Sequence, residues 1–175
     1  GSMGCLERDN AAMFAAVLLK ANPKADVMFF ATTARYVKFN RNLPLLELIQ
    51  VIRNSFQSGS TNFNAIFTVA NKAYDSVVTL SDNEGWVGGG APVQWHAAYK
   101  RAYNCDPVIF CFDLGGDGAL MFREDGIILL SGFSFEVFKL LSILKKGRNK
   151  LVDEIDKIVI GQPLPKRGKA DEDEE

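Results

Sequence analysis

The chain has 175 residues, of which 47% are apolar and 23% charged, with a formal net charge of −1. That length predicts one domain with a sizeable core, and the near balance of acids and bases singles out neither nucleic acid nor membrane as a partner. No stretch approaches the roughly 18 uninterrupted apolar residues of a membrane span, no signal peptide is visible, and three cysteines without metal-type spacing point to a reducing, cytoplasmic setting.

AAMFAAVLLKA, residues 11–21, is apolar almost all round, which predicts a buried helix capped by Asp9 and stopped at Asn22-Pro23. DVMFFAT (26–32) is a short apolar run of the kind found in strands covered on both faces. After ARYVKF, the segment PLLELIQVIRNSF (44–56) places Leu45, Leu48, Ile49 and Ile52 at helical spacing. SGSTN (58–62) is a loop, NAIFTVANKAY (64–74) reads as helix, and SVVTLSD (76–82) is a β-branched strand. Gly88 to Gly90 lead into the helix PVQWHAAYKRAY, followed by the strands PVIFCFDL (107–114) and IILLSGF (127–133). FEVFKLLSILKK (135–146) closes the pattern as an amphipathic helix.

Strands alternating with helices predict an α/β three-layer sandwich, with a mainly parallel central sheet flanked by helices. Ligands of such sheets sit beyond the carboxyl ends of the strands. The segments of interest are therefore ATTAR, SDNEGWVGGG, DLGGDG and SGF. One feature departs from the pattern: a buried helix comes first, where a strand should precede it.

Thr61, in a loop before a helix, and Asp82, at a strand end, form the most suggestive pair. A hydroxyl and a carboxylate on one rim are hard oxygen ligands suited to Mg²⁺, an ion that keeps several waters. Spacing alone equally allows an ST-turn at Thr61 and an Asx-turn at Asp82-Asn83. His96 is the single histidine and is expected on the surface or half-buried, and Cys111 is expected as a buried strand residue. Neither the glycine run, which lacks a following Gly-Lys-Ser/Thr, nor the Asp113/Asp117 pair, read as turn residues, marks a phosphate site or an acid pair.

The loop SGSTNFNAIF, the strand end LSDNEGWVGG and the stretch PVIFCFDLGGDGALMFREDGIILLSGFSFEVFKLL together resemble a von Willebrand factor A (vWA) domain. More narrowly they resemble the vWA domain of Ro-type (TROVE) RNA-binding proteins, over residues 1 to about 160. The resemblance implies a vWA/Rossmann-like domain over 1–160 and a charged tail, expected to be disordered, over 161–175. It also implies a metal-ion-dependent adhesion site (MIDAS) in which Ser2, Thr61 and Asp82 hold Mg²⁺, with Mn²⁺ or Ca²⁺ as alternatives. Asn83, Glu84, Gly88 and Gly89 form the loop beside it.

The Asp and first Ser of the family's Asp-x-Ser-x-Ser motif would lie upstream of residue 1, so the site is incomplete in this chain. GSMG, residues 1–4, reads either as the tail of that motif or as a vector remnant. The resemblance further implies that the first strand is missing or supplied elsewhere, and that without it the fragment is unstable as a monomer. The function implied is recognition of an acidic protein partner through the ion, within a Ro-like ribonucleoprotein that binds non-coding RNA. RNA contact belongs there chiefly to an upstream domain. Two alternatives stand beside it: direct RNA binding through Lys145, Lys146, Arg148 and Lys150, and a metal-assisted hydrolase. The lack of a general-base constellation weighs against an enzyme.

Overall fold

The computed structural model describes residues 4–56, 59–82, 91–115 and 127–131. All of them belong to a compact unit, Gly1–Ser134; a second unit, Phe135–Glu175, lies outside the described residues, as do the helix expected at 135–146, the domain boundary near 160 and the charged tail.

Helix α1 spans Cys5–Ala21. It begins six residues earlier than the apolar run suggests, because Leu6, Glu7 and Arg8 are good helix formers and Glu7 favours the amino-terminal turn. Gly4 is the N-cap, and Asp9 lies inside the helix, ion-paired with Arg53. At the other end the Asn22 N–H donates to Leu18 O at 3.0 Å, and Pro23 stops the helix. Arg41 reaches back to accept this terminus, its guanidinium donating to the carbonyls of Leu19, Asn22 and Ala25. Burial on more than one side follows the composition: Ala12, Ala16 and Leu19 pack with Leu48 and Ile52, while Phe14 meets Phe112 with ring centroids 5.0 Å apart.

The segment after α1 is a hairpin of β1 (Val27–Phe30) and β2 (Ala34–Val37), antiparallel with Val27 opposite Val37 and Phe30 opposite Ala34. The sequence pattern marks β1 alone, because β2 carries Arg35 and Tyr36 and lacks a continuous apolar run. As expected, β1 is covered on both faces. Val27 and Phe29 pack with the α1 cluster, and Met28 and Phe30 with a second cluster built on Phe63, Ile66, Phe67, Tyr99, Ile109 and Cys111.

Helix α2 spans Leu45–Asn54 and buries Leu48 and Ile52, one turn apart; Leu45, expected on the apolar face, is exposed. Helix α3 is shorter than its pattern, Asn64–Val69, and the next residues turn away. Tyrosines on the following helix take over their backbone groups. Tyr99 donates its hydroxyl to Lys72 O at 2.9 Å and accepts from Tyr74 N–H at 3.0 Å, and Tyr103 donates to Ala70 O at 3.0 Å. That helix, α4 (Pro92–Tyr103), starts with proline and ends on Asn104 in the left-handed region, φ 46°.

Strands β3 (Ser76–Ser81), β4 (Val108–Asp113) and β5 (Ile127–Ser131) form a parallel sheet in the order β3-β4-β5. Ser76 pairs with Val108, Ser81 with Asp113, and Asp113 with Ser131. Helices on both sides make the expected sandwich. Among the described residues β1 and β3 belong to separate sheets, so each has a ladder partner on one side only.

Side chains hold the two sheets together. Asp26, just before β1, accepts a hydrogen bond from the Tyr74 hydroxyl at 2.8 Å and pairs with Lys72 at 2.6 Å; Tyr74 lies two residues before β3. The Tyr36 hydroxyl is 2.9 Å from that of Tyr74. At the far end of β1, Ala31 O accepts from Asn62 N–H at 2.9 Å, at the start of α3. No helix among the described residues is long and apolar enough to cross a membrane.

Candidate metal-binding edge

Parallel strands gather their last residues at one edge, and here these are polar. Ser81 and Asp113 sit opposite each other in register, and Asp82 follows at once. Asp82 is 5% exposed and Asp113 is 1% exposed. A buried carboxylate is costly unless hydrogen-bonded. The Ser81 hydroxyl lies 3.4 Å from Asp82 Oδ1, Gly115 N–H donates to Asp113 Oδ1 at 3.1 Å, and Leu114 N–H donates to Ser81 O at 2.9 Å. The last bond locks the chain leaving β4 onto the end of β3.

Thr61 lies at the end of the hairpin's first strand. It is half-buried in the loop 59–62, which lies against the turn 31–33 at the end of β1. Approach there is close: a Cβ on Gly59 would lie 3.0 Å from Ala31 Cβ and 3.4 Å from Thr32 Oγ1, tighter than ordinary contact. On the other side of Thr61, the Asn62 side chain donates to Thr32 O at 3.1 Å. Thr61 thus sits in a loop at the end of β1 and Asp82 directly after β3, on different sheets. Ser2, Asn83, Glu84, Gly88, Gly89, Lys145, Lys146, Arg148 and Lys150 lie outside the described residues, as does Asp117.

Asp113 is the carboxylate that sequence reading passes over. Its flanking glycines suggest a turn, and the bond from Gly115 N–H is indeed an Asx-type turn contact. The signal for a buried edge acid is its position closing the apolar run VIFCF, in register with Ser81.

The other candidates fall away from the edge. His96, expected at or near the surface, is 1% exposed, because α4 packs on α3 and sets its ring 5.0 Å from that of Phe67. Cys111 is buried inside β4, as expected. Burial pushes its thiol up from the usual value, only partly offset by a hydrogen bond with Thr79, so a thiolate nucleophile is disfavoured there.

Among the described residues no group of three or more His, Cys, Asp or Glu is placed to hold a metal ion. A Mg²⁺ site of the hydroxyl-rich kind needs fewer carboxylates, since the ion keeps water ligands. The Thr61 hydroxyl and the Asp82 carboxylate are hard oxygens and fit such an ion in kind. Asp82 sits on a rigid strand end and Thr61 on a loop fastened at both sides.

With the fold and edge in view, the comparisons are specific. The model of the family described as the Ro60 vWA domain matches residues 2–141. Among solved structures, the chain is similar to the crystal structure of the Ro (RSR) protein of Deinococcus radiodurans, with a TM-score of 0.64 and 18% identity over 81% of this chain. At that identity the likeness is one of fold. The chain covers 29% of that protein's length, so it spans less than a third of it. Comparison with curated proteins finds no match.

Proposed function

This chain belongs to the Ro60 vWA domain family, and from that premise we propose that it is a divalent-metal-dependent binding module. It recognises an acidic group of a partner protein at the edge formed by Thr61 and Asp82. What supports this most is that Asp82, a buried carboxylate, directly follows β3, and that the loop presenting Thr61 is fastened to the turn that ends β1. Asp82 contributes a fixed negative charge, and Thr61 contributes a neutral oxygen that adds no repulsion toward an incoming acid. Ser2 and the residues before it are read as the rest of the site, with Asn83, Glu84, Gly88 and Gly89 beside it.

A bound Mg²⁺, or Mn²⁺ or Ca²⁺ in its place, supplies an open position that the partner's carboxylate fills. We read the module as a binder rather than an enzyme: its single histidine is committed to the α3/α4 core, and its described buried cysteine sits deep in β4. In this reading it works in the cytoplasm as part of a Ro-like ribonucleoprotein, and the main contacts to non-coding RNA belong to another domain.

The test is calorimetric titration of Mg²⁺ into the full-length protein, and then of an acidic partner with and without the ion. Thr61→Ala and Asp82→Ala are each expected to weaken Mg²⁺ binding by about tenfold or more, since loss of even an outer partner typically costs that much. Unchanged metal and partner binding in both variants refutes the proposal. RNA affinity that falls steeply with salt and is lost on charge reversal at Lys145, Lys146, Arg148 and Lys150 would instead favour direct RNA contact.

A further inference from the structure

Asn62, the residue after Thr61, uses every hydrogen-bonding group it has, and it divides them between two elements. Toward the end of β1, its backbone N–H donates to Ala31 O at 2.9 Å and its side-chain amide donates to Thr32 O at 3.1 Å. Toward α3, its side-chain oxygen accepts from Asn64 N–H at 3.1 Å and its backbone carbonyl from Ala65 N–H at 3.3 Å. The other end of the loop is fixed differently, by Gly59 seated close against Ala31 and Thr32, where an added Cβ would meet Ala31 Cβ at 3.0 Å. Thr61 is therefore spanned by two attachments to a single turn, 31–33.

From this we propose that Asn62 is the positioning residue of the candidate site: it fixes the Thr61 hydroxyl beside the end of β1 by bridging the β1–β2 turn to the start of α3. The inference rests on the metal reading above. Asparagine, aspartate and, more weakly, serine have a side-chain oxygen at the reach this turn needs, and of these only asparagine also has an amide N–H to donate to Thr32 O. A serine retains the turn bond to Asn64 N–H and lacks the donor arm to Thr32. An alanine lacks both.

The experiment compares Asn62→Ser, Asn62→Ala and Thr61→Ala in the full-length protein by Mg²⁺ calorimetry, thermal melting and amide hydrogen exchange. Asn62→Ser is expected to keep a cooperative melt, to bind Mg²⁺ about tenfold more weakly, and to raise exchange at residues 59–62 about tenfold without metal present. Asn62→Ala should do the same with a lower melting temperature. Unchanged exchange at 59–62 in Asn62→Ser overturns the inference. So does unchanged Mg²⁺ affinity in Asn62→Ser when Thr61→Ala weakens it, and that outcome leaves the metal reading standing. Normal Mg²⁺ binding in Thr61→Ala overturns the role of Thr61 in the metal reading, and the positioning role with it.

Discussion

Replacing Tyr74 with phenylalanine tests how two sheets without a shared ladder stay together. The change removes one hydroxyl and leaves the ring. That hydroxyl donates to Asp26 Oδ2 at 2.8 Å and lies 2.9 Å from the Tyr36 hydroxyl, so it joins the residue before β1, a residue of β2 and the residues leading into β3. A hydrogen bond to a charged group contributes about 1.5–3 kcal/mol and a neutral one about 0.5–1.5 kcal/mol. Asp26 is 40% exposed and keeps Lys72, so water recovers part of the loss. We expect Tyr74→Phe to cost about 1–2 kcal/mol, below the summed range of about 2–4.5 kcal/mol because of that recovery.

With a urea dependence of about 2 kcal/mol/M, the unfolding midpoint falls by about 0.5–1 M. Tyr36→Phe should cost less, because the Tyr74–Asp26 bond survives, and the double variant should cost less than the sum of the two single changes. A midpoint for Tyr74→Phe equal to that of the unchanged chain would refute the idea that this junction stabilises the fold.

Three further outcomes are expected. Asp26 is held below its ordinary value of 3.8, first by its hydrogen bond with Lys72 and then by that with Tyr74, so its contribution is present above that value and lost as pH falls through the lowered one. Acid unfolding curves below pH 4 should therefore be flatter for Asp26→Asn than for the unchanged chain. Burial raises the phenols of Tyr74 and Tyr99 above their ordinary value of 10.0; their contribution is complete below that pH and fades as pH rises past it, and alkaline melting scans should show Tyr74→Phe losing less above pH 10 than the unchanged chain. A thiol-reactive dye should label exposed Cys5 in the native chain and Cys111 only on unfolding, and early labelling of Cys111 would contradict its burial in β4.

The parts of the fold that the sequence makes legible are those in which one element's own pattern decides. PVIFCFDL, AAMFAAVLLKA and PVQWHAAYKRAY have long, consistent patterns, and β4, α1 and α4 occupy them. Short-range propensity misleads where a tertiary partner intervenes. NAIFTVANKAY has helical spacing to Tyr74, yet tyrosine hydroxyls from α4 capture the backbone of residues 70–74 and end the helix at Val69. ARYV becomes a strand because β1 beside it supplies a ladder, not because of its own composition.

At the site, Thr61 and Asp82 are legible in the sequence as hard donors at a loop and a strand end, and the structure puts Thr61 in the loop 59–62 and Asp82 directly after β3. Asn62 is not, since its value lies in four partners spread over residues 31–65, and no local pattern reports them. Asp113 was hidden by glycines that made a turn a sufficient explanation.

The division of the strands into two sheets also bears on solution behaviour. β1 reads Val-Met-Phe-Phe and β3 opens Ser-Val-Val, both rich in residues that favour extended chain, and each has one side without a ladder partner among the described residues. Such edges are templates on which a neighbouring molecule can add a strand. With a formal net charge of −1, little long-range repulsion opposes that encounter. Self-association of this chain is therefore expected to rise with protein concentration and to begin at these two strands.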